Sequence, residues 1–113
     1  KNAKLYNKYL LDSNNLKLPI IRNNSIHAFH LFVVRVKKRK QLIKYLKENK
    51  ISTGIHYPVP LPFLKAYKYL NKLPKHYPVS WEYHDKILSL PMFPELSENE
   101  IKYVSNKINS FYS

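Results

Sequence analysis

The chain has no cysteine and only one glycine among its 113 residues. Without cysteine it forms neither disulfides nor cysteine-ligated zinc sites, which is typical of a cytoplasmic protein. A single glycine does not supply the closely approaching backbone amides of a phosphate-binding loop or a dinucleotide fingerprint. The sequence also lacks an apolar run that could span a membrane and a signal-like leader, so we expect a cytoplasmic location and no membrane partner.

Acidic residues are scarce as well, with 7 against 20 basic residues and a net charge of +13. Such a charge invites a nucleic-acid interpretation. However, lysines are spread along the whole chain, with one cluster, VKKRK at 36–40, and arginine is rare. Arginine is the residue best suited to bidentate phosphate and guanine contacts. We therefore do not expect a nucleic-acid partner, and keep a basic nucleic-acid-binding module as an alternative.

Three short stretches predict β-strands. HAFHLFVVRV at 27–36 is the strongest, and because both of its alternating sets are largely apolar, we expect both faces to be covered. Residues 51–57 predict a second strand, which ends at Pro58, because proline cannot donate a ladder hydrogen bond. ILSL at 87–90 predicts a third.

Five segments predict helices between and around these strands. The last is the best marked, because Ser97 and Glu100 form a capping box ahead of an apolar stripe. The other four are a helix at 3–11, one at 37–49 with Asn49 as a left-handed cap, one that opens at Pro62 and one capped by Ser80. Together these elements predict an α/β or α+β fold, a small sheet with helices packed on it.

No histidine pair has the spacing of a zinc-binding helix. His27 and His30 would point to opposite faces of the first predicted strand, which argues against a shared metal, and we predict no metal site.

The segment GIHYPVP at 54–60 is the strongest candidate for a ligand site. Gly54 allows a bend or a close approach of another backbone, and the two prolines stiffen the exit. Such a turn at a strand end is well placed to project His56 and Tyr57 into a cleft, where they would hydrogen-bond a polar ligand.

Three ordered blocks then resemble the C-terminal part of the DegT/DnrJ/EryC1/StrS family of pyridoxal-phosphate (PLP)-dependent nucleotide-sugar aminotransferases. The blocks are FHLFVVRV, LIKYLKENKISTGIHYPVPL and YPVSWEYHDKILSLPMFPELSENEI, and the resemblance spans residues 3–111. It implies the small C-terminal domain of a fold-type-I aminotransferase, with a three-stranded, mainly antiparallel sheet. Residues 1–18 would be the tail of an interdomain helix and a linker, and residues 19–113 the small domain, with the large PLP-binding domain absent.

The resemblance also implies how the site is divided. The Schiff-base lysine belongs to the missing domain, so this segment holds no catalytic or cofactor-binding residue and is expected to be inactive alone. The full-length enzyme would use PLP, an amino-acid donor such as glutamate and a nucleotide-linked keto sugar, and would form a homodimer. His56, Tyr57 and, less directly, His30 are the implied substrate-binding residues.

Two departures from the family pattern concern Pro62, where relatives often carry histidine, and Lys50, where they commonly carry glycine. The first puts the substrate preference in question, and the second suggests a helix cap moved to Asn49. Some relatives use the same scaffold for dehydration. A non-catalytic interaction fragment is a further alternative.

Overall fold

A computed structural model describes residues 1–113. Its sheet has three antiparallel strands in the order β1 (Leu16–Lys17), β2 (Phe32–Val36) and β3 (Ile87–Leu90). β2 is the central strand, with Val34 opposite Leu88 on one side and Val36 opposite Leu16 on the other. The predicted class, a small antiparallel sheet with helices packed on it, is confirmed.

Four α-helices accompany the sheet: α1 (Asn2–Tyr9), α2 (Arg39–Glu48), α3 (Pro78–Tyr83) and α4 (Glu98–Tyr112). α1 and α2 both pack against α4. Short 3₁₀-helices occupy parts of the long connection between α2 and α3, at Leu61–Phe63, Lys65–Leu70 and Pro74–His76.

One hydrophobic core lies between the sheet and the helices. β2 alternates buried and half-buried residues, so one of its faces meets the helices and the other is only half covered, not buried on both faces as predicted. Helix α4 confirms its prediction: Ser97 Oγ accepts the Glu100 amide at 3.2 Å, and the Glu100 carboxylate accepts the Ser97 amide at 2.7 Å. The hydrogen bond from the Ser97 backbone holds the pKa of Glu100 below its ordinary value.

Residues 1–18 pack into this same core. Tyr6 is fully buried, its ring stacks on Phe32 with centroids 4.9 Å apart, and its hydroxyl donates to the Pro91 carbonyl at 2.7 Å. Leu10 and Leu16 are buried with it. The assignment of residues 1–18 as an interdomain tail and linker stays a prediction.

The first predicted strand is wrong over residues 27–31, because β2 begins at Phe32. Phe29 has a left-handed backbone, with φ at 49°, and its amide donates to His27 Nδ1 at 2.8 Å instead of to a neighbouring strand. The expectation that His27 and His30 lie on opposite faces of a strand is therefore also wrong.

The second predicted strand, residues 51–57, is also wrong. Only Gly54 pairs with the sheet, in a single bridge to Ser89, while the Ile51 amide still bonds to the Leu46 carbonyl at the end of α2. The two-residue strand β1 takes its place as the third member of the sheet. The left-handed residue after α2 is Lys50, with φ at 61°, and not Asn49, with φ at −93°.

The predicted helices between the second and third strands also shift. Pro62 lies in a 3₁₀-helix, and α3 begins at Pro78, ahead of the predicted cap Ser80. Proline fits a first helical position, because its missing N–H would have no intrahelical partner there. No residue between Ser52 and Ile87 is buried, and this segment contacts the core through the half-buried Ile55.

Lys50 provides a test of the backbone at the end of α2. A non-glycine residue in the left-handed region costs about 1–2 kcal/mol, and glycine avoids this cost. We expect Lys50→Gly to raise the free energy of unfolding by about 1 kcal/mol in urea denaturation. The matched control, Lys47→Gly within α2, should lower it by a similar amount. Equal destabilisation by both changes would contradict the left-handed assignment.

Two tyrosines make stability sensitive to alkaline pH. Burial raises the pKa of Tyr112 to about 12 and holds that of Tyr6 well above its ordinary value of 10.0. Because the folded state keeps these protons more tightly, their contribution is complete below pH 10 and is lost as the pH rises through the folded-state values. We expect the free energy of unfolding to fall above about pH 10 and to fall less steeply in Tyr6→Phe. The control is Tyr69→Phe, because Tyr69 is exposed, and its free energy of unfolding should fall with pH as steeply as that of the wild type. If Tyr6→Phe also falls as steeply as the wild type, the contribution of Tyr6 to this pH dependence is refuted.

Candidate functional site

The candidate site lies on the face of the sheet that points away from the helices. Side chains alternate along a strand, so Ser89 points opposite to its core-facing neighbours Leu88 and Leu90. Its partner on β2 is Val33, which is half-buried on the same outer face. Ser89 itself is buried, which shows that another segment covers it.

That segment is the turn after α2. Gly54 extends the sheet by one residue, because its amide donates to the Ser89 carbonyl at 3.0 Å and the Ser89 amide donates to the Gly54 carbonyl at 2.7 Å. These two bonds hold the start of the GIHYPVP segment against the middle of β3.

The imidazole of His56 then folds back over this bridge. Its Nδ1 lies 2.8 Å from Ser89 Oγ, within hydrogen-bond distance. A Cβ on Gly54 would lie 2.8 Å from His56 Cε1, closer than such atoms approach. The φ angle of Gly54 is not positive, so the site needs glycine for the space it leaves and not for an unusual backbone.

Tyr57 and His56 are both exposed to solvent. The two rings meet edge to face with centroids 5.4 Å apart, and the Tyr57 side chain is 71% exposed. The structure therefore brings His56, Tyr57 and Ser89 together. A neutral imidazole and a phenol can both donate and accept hydrogen bonds, as a ligand rich in hydroxyl and carbonyl groups requires.

His30 lies apart from this group. It is exposed and lines a groove of about 570 Å³ together with His27, Phe93 and the start of α1, and His56 does not line that groove. The structure thus divides the three predicted site residues into a pair, His56 and Tyr57, and a separate His30.

Ser89 was missed by sequence reasoning, although it stands inside one of the family-like blocks. The available signal was its position: it is the one polar residue in ILSL, between two leucines that alternation assigns to the core. A polar residue in such a strand needs a hydrogen-bond partner, and the sequence does not show that His56 would be that partner.

The lysine cluster at residues 36–40 lies at the C-terminal end of β2. Lys37, Lys38 and Lys40 surround a hollow of about 380 Å³ at the start of α2, and Asp85 also lines it. Lys86, on the same hollow, pairs with Glu82 at 3.7 Å. The alternative of a nucleic-acid-binding module stays a prediction.

The residues present do not fit a PLP site within this chain. Asp12 pairs with Lys17 at 3.5 Å in a surface turn, and Asp85 is exposed at the edge of the open, lysine-lined hollow, so neither aspartate lies in an enclosed pocket for a pyridine nitrogen. Both backbone groups of Gly54 are used by Ser89, so they are not free to bind a phosphate. The structure contains no cluster of three or more side chains suited to holding a metal ion. None of its helices is long and apolar enough to cross a membrane.

Comparison with known proteins identifies the family. The model of the DegT/DnrJ/EryC1/StrS aminotransferase family matches residues 1–109, so the chain belongs to this family. It is 38% identical over 96 residues to the dTDP-3-amino-3,6-dideoxy-alpha-D-galactopyranose transaminase of Aneurinibacillus thermoaerophilus. The aligned region covers 85% of this chain and 26% of that relative. It is 35% identical over 88 residues to the dTDP-3-amino-3,4,6-trideoxy-alpha-D-glucose transaminase of Micromonospora megalomicea, over 77% of this chain and 24% of that relative.

Solved structures agree with this assignment. S. venezuelae DesV superposes with a TM-score of 0.90 at 27% identity, over 97% of this chain and 30% of that one. A DegT/DnrJ/EryC1/StrS aminotransferase from Brucella abortus superposes with a TM-score of 0.84 at 29% identity, over 99% and 30%. The chain thus has the fold of the C-terminal domain of these fold-type-I aminotransferases, and spans under a third of the length of each relative.

Proposed function

We propose that this chain is the substrate-side C-terminal domain of a PLP-dependent aminotransferase that transfers an amino group to a nucleotide-linked keto sugar. The observation that carries the proposal is the exposed His56 and Tyr57 pair, held on the outer face of a sheet whose fold matches sugar aminotransferases over 97% of the chain. In this proposal the amino donor is an amino acid such as glutamate, and the full-length protein is a homodimer.

The surface around the site supports a role as one wall of a larger cleft. Between Ser52 and Ile87 no side chain is buried, yet many large apolar ones are exposed. An excess of exposed apolar side chains in one segment favours an interface or a ligand groove, and Phe63 joins two of them, Tyr77 and Trp81, by edge-to-face ring contacts. The exposed large apolar residues of this segment are Tyr57, Val59, Leu61, Leu64, Tyr69, Leu70, Leu73, Tyr77, Val79 and Trp81.

In the proposed site the chain's own residues bind and orient the sugar. The His56 imidazole and the Tyr57 phenol hydrogen-bond hydroxyl groups or the keto oxygen, and the rigid attachment to Ser89 limits the rotation of the imidazole. His30, in its separate groove, is a second proposed contact. PLP supplies the electron sink in such chemistry, and its site lies outside these residues.

The test uses the protein encoded by the complete open reading frame. We expect an upstream segment that carries the cofactor lysine, and a purified protein that binds PLP and transfers the amino group of glutamate to a nucleotide-linked 3-keto or 4-keto sugar. The 113-residue chain alone should bind no PLP and show no transfer. A reading frame with no such upstream segment, or a folded PLP-loaded protein that instead dehydrates the sugar, would overturn the proposal.

A further inference from the structure

We infer that Ser89 is the positioning residue for His56: its hydroxyl holds Nδ1, so that Nε2 is the imidazole atom presented to the sugar. This inference rests on the proposed function for its consequence in turnover, and on the geometry alone for its structural part. Nothing in the family motif itself indicates which atom of the imidazole faces the ligand.

The first argument is the hydrogen bond itself. Nδ1 and Oγ are 2.8 Å apart, and the two residues are 33 positions apart in the chain. Ser89 is 4% exposed, and His56 is the only hydrogen-bond partner of its hydroxyl. Because a buried hydroxyl without a partner costs free energy, Ser89 favours the conformation in which the imidazole meets it.

The second argument is how the backbone of Ser89 is used. The same residue that holds the imidazole also pairs through its amide and carbonyl with Gly54, two residues before His56. Three bonds from one residue therefore fix the turn and the ring relative to each other. The missing side chain of Gly54 leaves the space over which Cε1 of the ring lies.

The consequence concerns the remaining ring nitrogen. With Nδ1 occupied, Nε2 makes no hydrogen bond within the chain and belongs to an exposed side chain. The edge of Tyr57 packs at 5.4 Å, so the phenol stands beside the ring. In the neutral imidazole the partner of one nitrogen determines whether the other donates or accepts. Ser89 thus sets the direction in which His56 presents Nε2, while its hydroxyl can donate to or accept from Nδ1.

NMR on the 113-residue chain tests the structural part. We expect a nuclear Overhauser contact between His56 Hε1 and the α-protons of Gly54, and a chemical shift of His56 Nδ1 that reflects a hydrogen bond. Ser89→Ala should reduce the contact several-fold and move the Nδ1 shift, and Ser89→Thr, which keeps the hydroxyl, should restore both. Gly54→Ala should move the Nδ1 shift with Ser89 intact. Ser105→Ala is the matched control, because Ser105 is a buried serine with no hydrogen-bond partner, and should change neither. An unchanged contact and shift in Ser89→Ala would overturn the inference.

Kinetics of the full-length protein test the functional part. We expect Ser89→Ala to lower kcat/KM for the keto sugar about tenfold, with Ser89→Thr recovering most of the loss and the half-reaction with the amino donor unchanged. If His56→Ala impairs sugar transfer and Ser89→Ala does not, the positioning role is wrong while the proposed function stands. If neither change affects sugar transfer and the NMR result holds, the site assignment in the proposed function fails instead.

Discussion

Replacing Phe32 with alanine is expected to lower the free energy of unfolding by about 3–5 kcal/mol. Phe32 begins the central strand, is fully buried, and stacks on Tyr6 and Phe29 with ring centroids 4.9 and 6.0 Å away. Truncating it leaves a cavity between the sheet and α1 that these rings fill. Because small domains are typically stable by about 5–15 kcal/mol, such a loss is a large part of the total.

Urea denaturation followed by far-ultraviolet circular dichroism measures this effect. Phe93→Ala is the control, because Phe93 is 46% exposed, and the change should cost under about 1 kcal/mol. Similar midpoints for the two variants would contradict a core centred on Phe32. This experiment also tests whether residues 1–18 pack into the core, because Tyr6 stacks on Phe32 and would line the cavity.

His56→Ala in the full-length protein is expected to lower kcat/KM for the keto sugar by about tenfold to a hundredfold. The change removes a hydrogen-bonding group held against the sugar, and each lost factor of ten corresponds to about 1.4 kcal/mol of transition-state stabilisation. PLP retention and the half-reaction with the amino donor should be unaffected, because we propose that the cofactor site lies outside these residues. Steady-state kinetics with varied sugar, together with single-turnover kinetics with the donor, separate the two effects.

The control for this measurement is His76→Ala. His76 is exposed, and its Nδ1 accepts only the amide of Leu73 in its own loop. It should leave sugar turnover near the wild-type value. Equal losses in both half-reactions of His56→Ala would indicate a general structural defect and count against a sugar-side role.

Local signals explain the parts of the fold that the sequence predicted correctly. The capping box at Ser97 and Glu100 and the apolar stripe that follows it involve residues three and four apart, so α4 could be read directly from the sequence. The β3 strand at 87–90 was also predicted, because Pro91 marks its end. The family resemblance, confirmed over residues 1–109, depended on whole blocks of sequence.

The errors share a physical cause, which is dependence on long-range partners. β1 is only two residues long and exists because Leu16 meets Val36 across the sheet. HAFHL looks like a strand, yet Phe29 adopts a left-handed backbone and its amide bonds to His27. Neither outcome follows from propensity, since strand formation depends strongly on tertiary context.

The candidate site also has a part that local sequence predicted and a part that depends on a distant residue. The position of Gly54 and the prolines predicted an exposed His56 and Tyr57, and the structure places both at the surface. The partner that holds the imidazole, Ser89, is 33 residues away, so only the folded chain reveals it. The physical reason for the single glycine also required the structure, because it is the contact with the His56 ring and not a turn angle.

A crystal structure of the full-length protein with PLP and a nucleotide-linked sugar bound is the most direct test of the site. The account predicts the sugar on the outer face of the sheet, with His56 Nε2 about 2.7–3.2 Å from a sugar oxygen while Nδ1 remains on Ser89. A sugar bound elsewhere, with His56 still facing solvent, would contradict it.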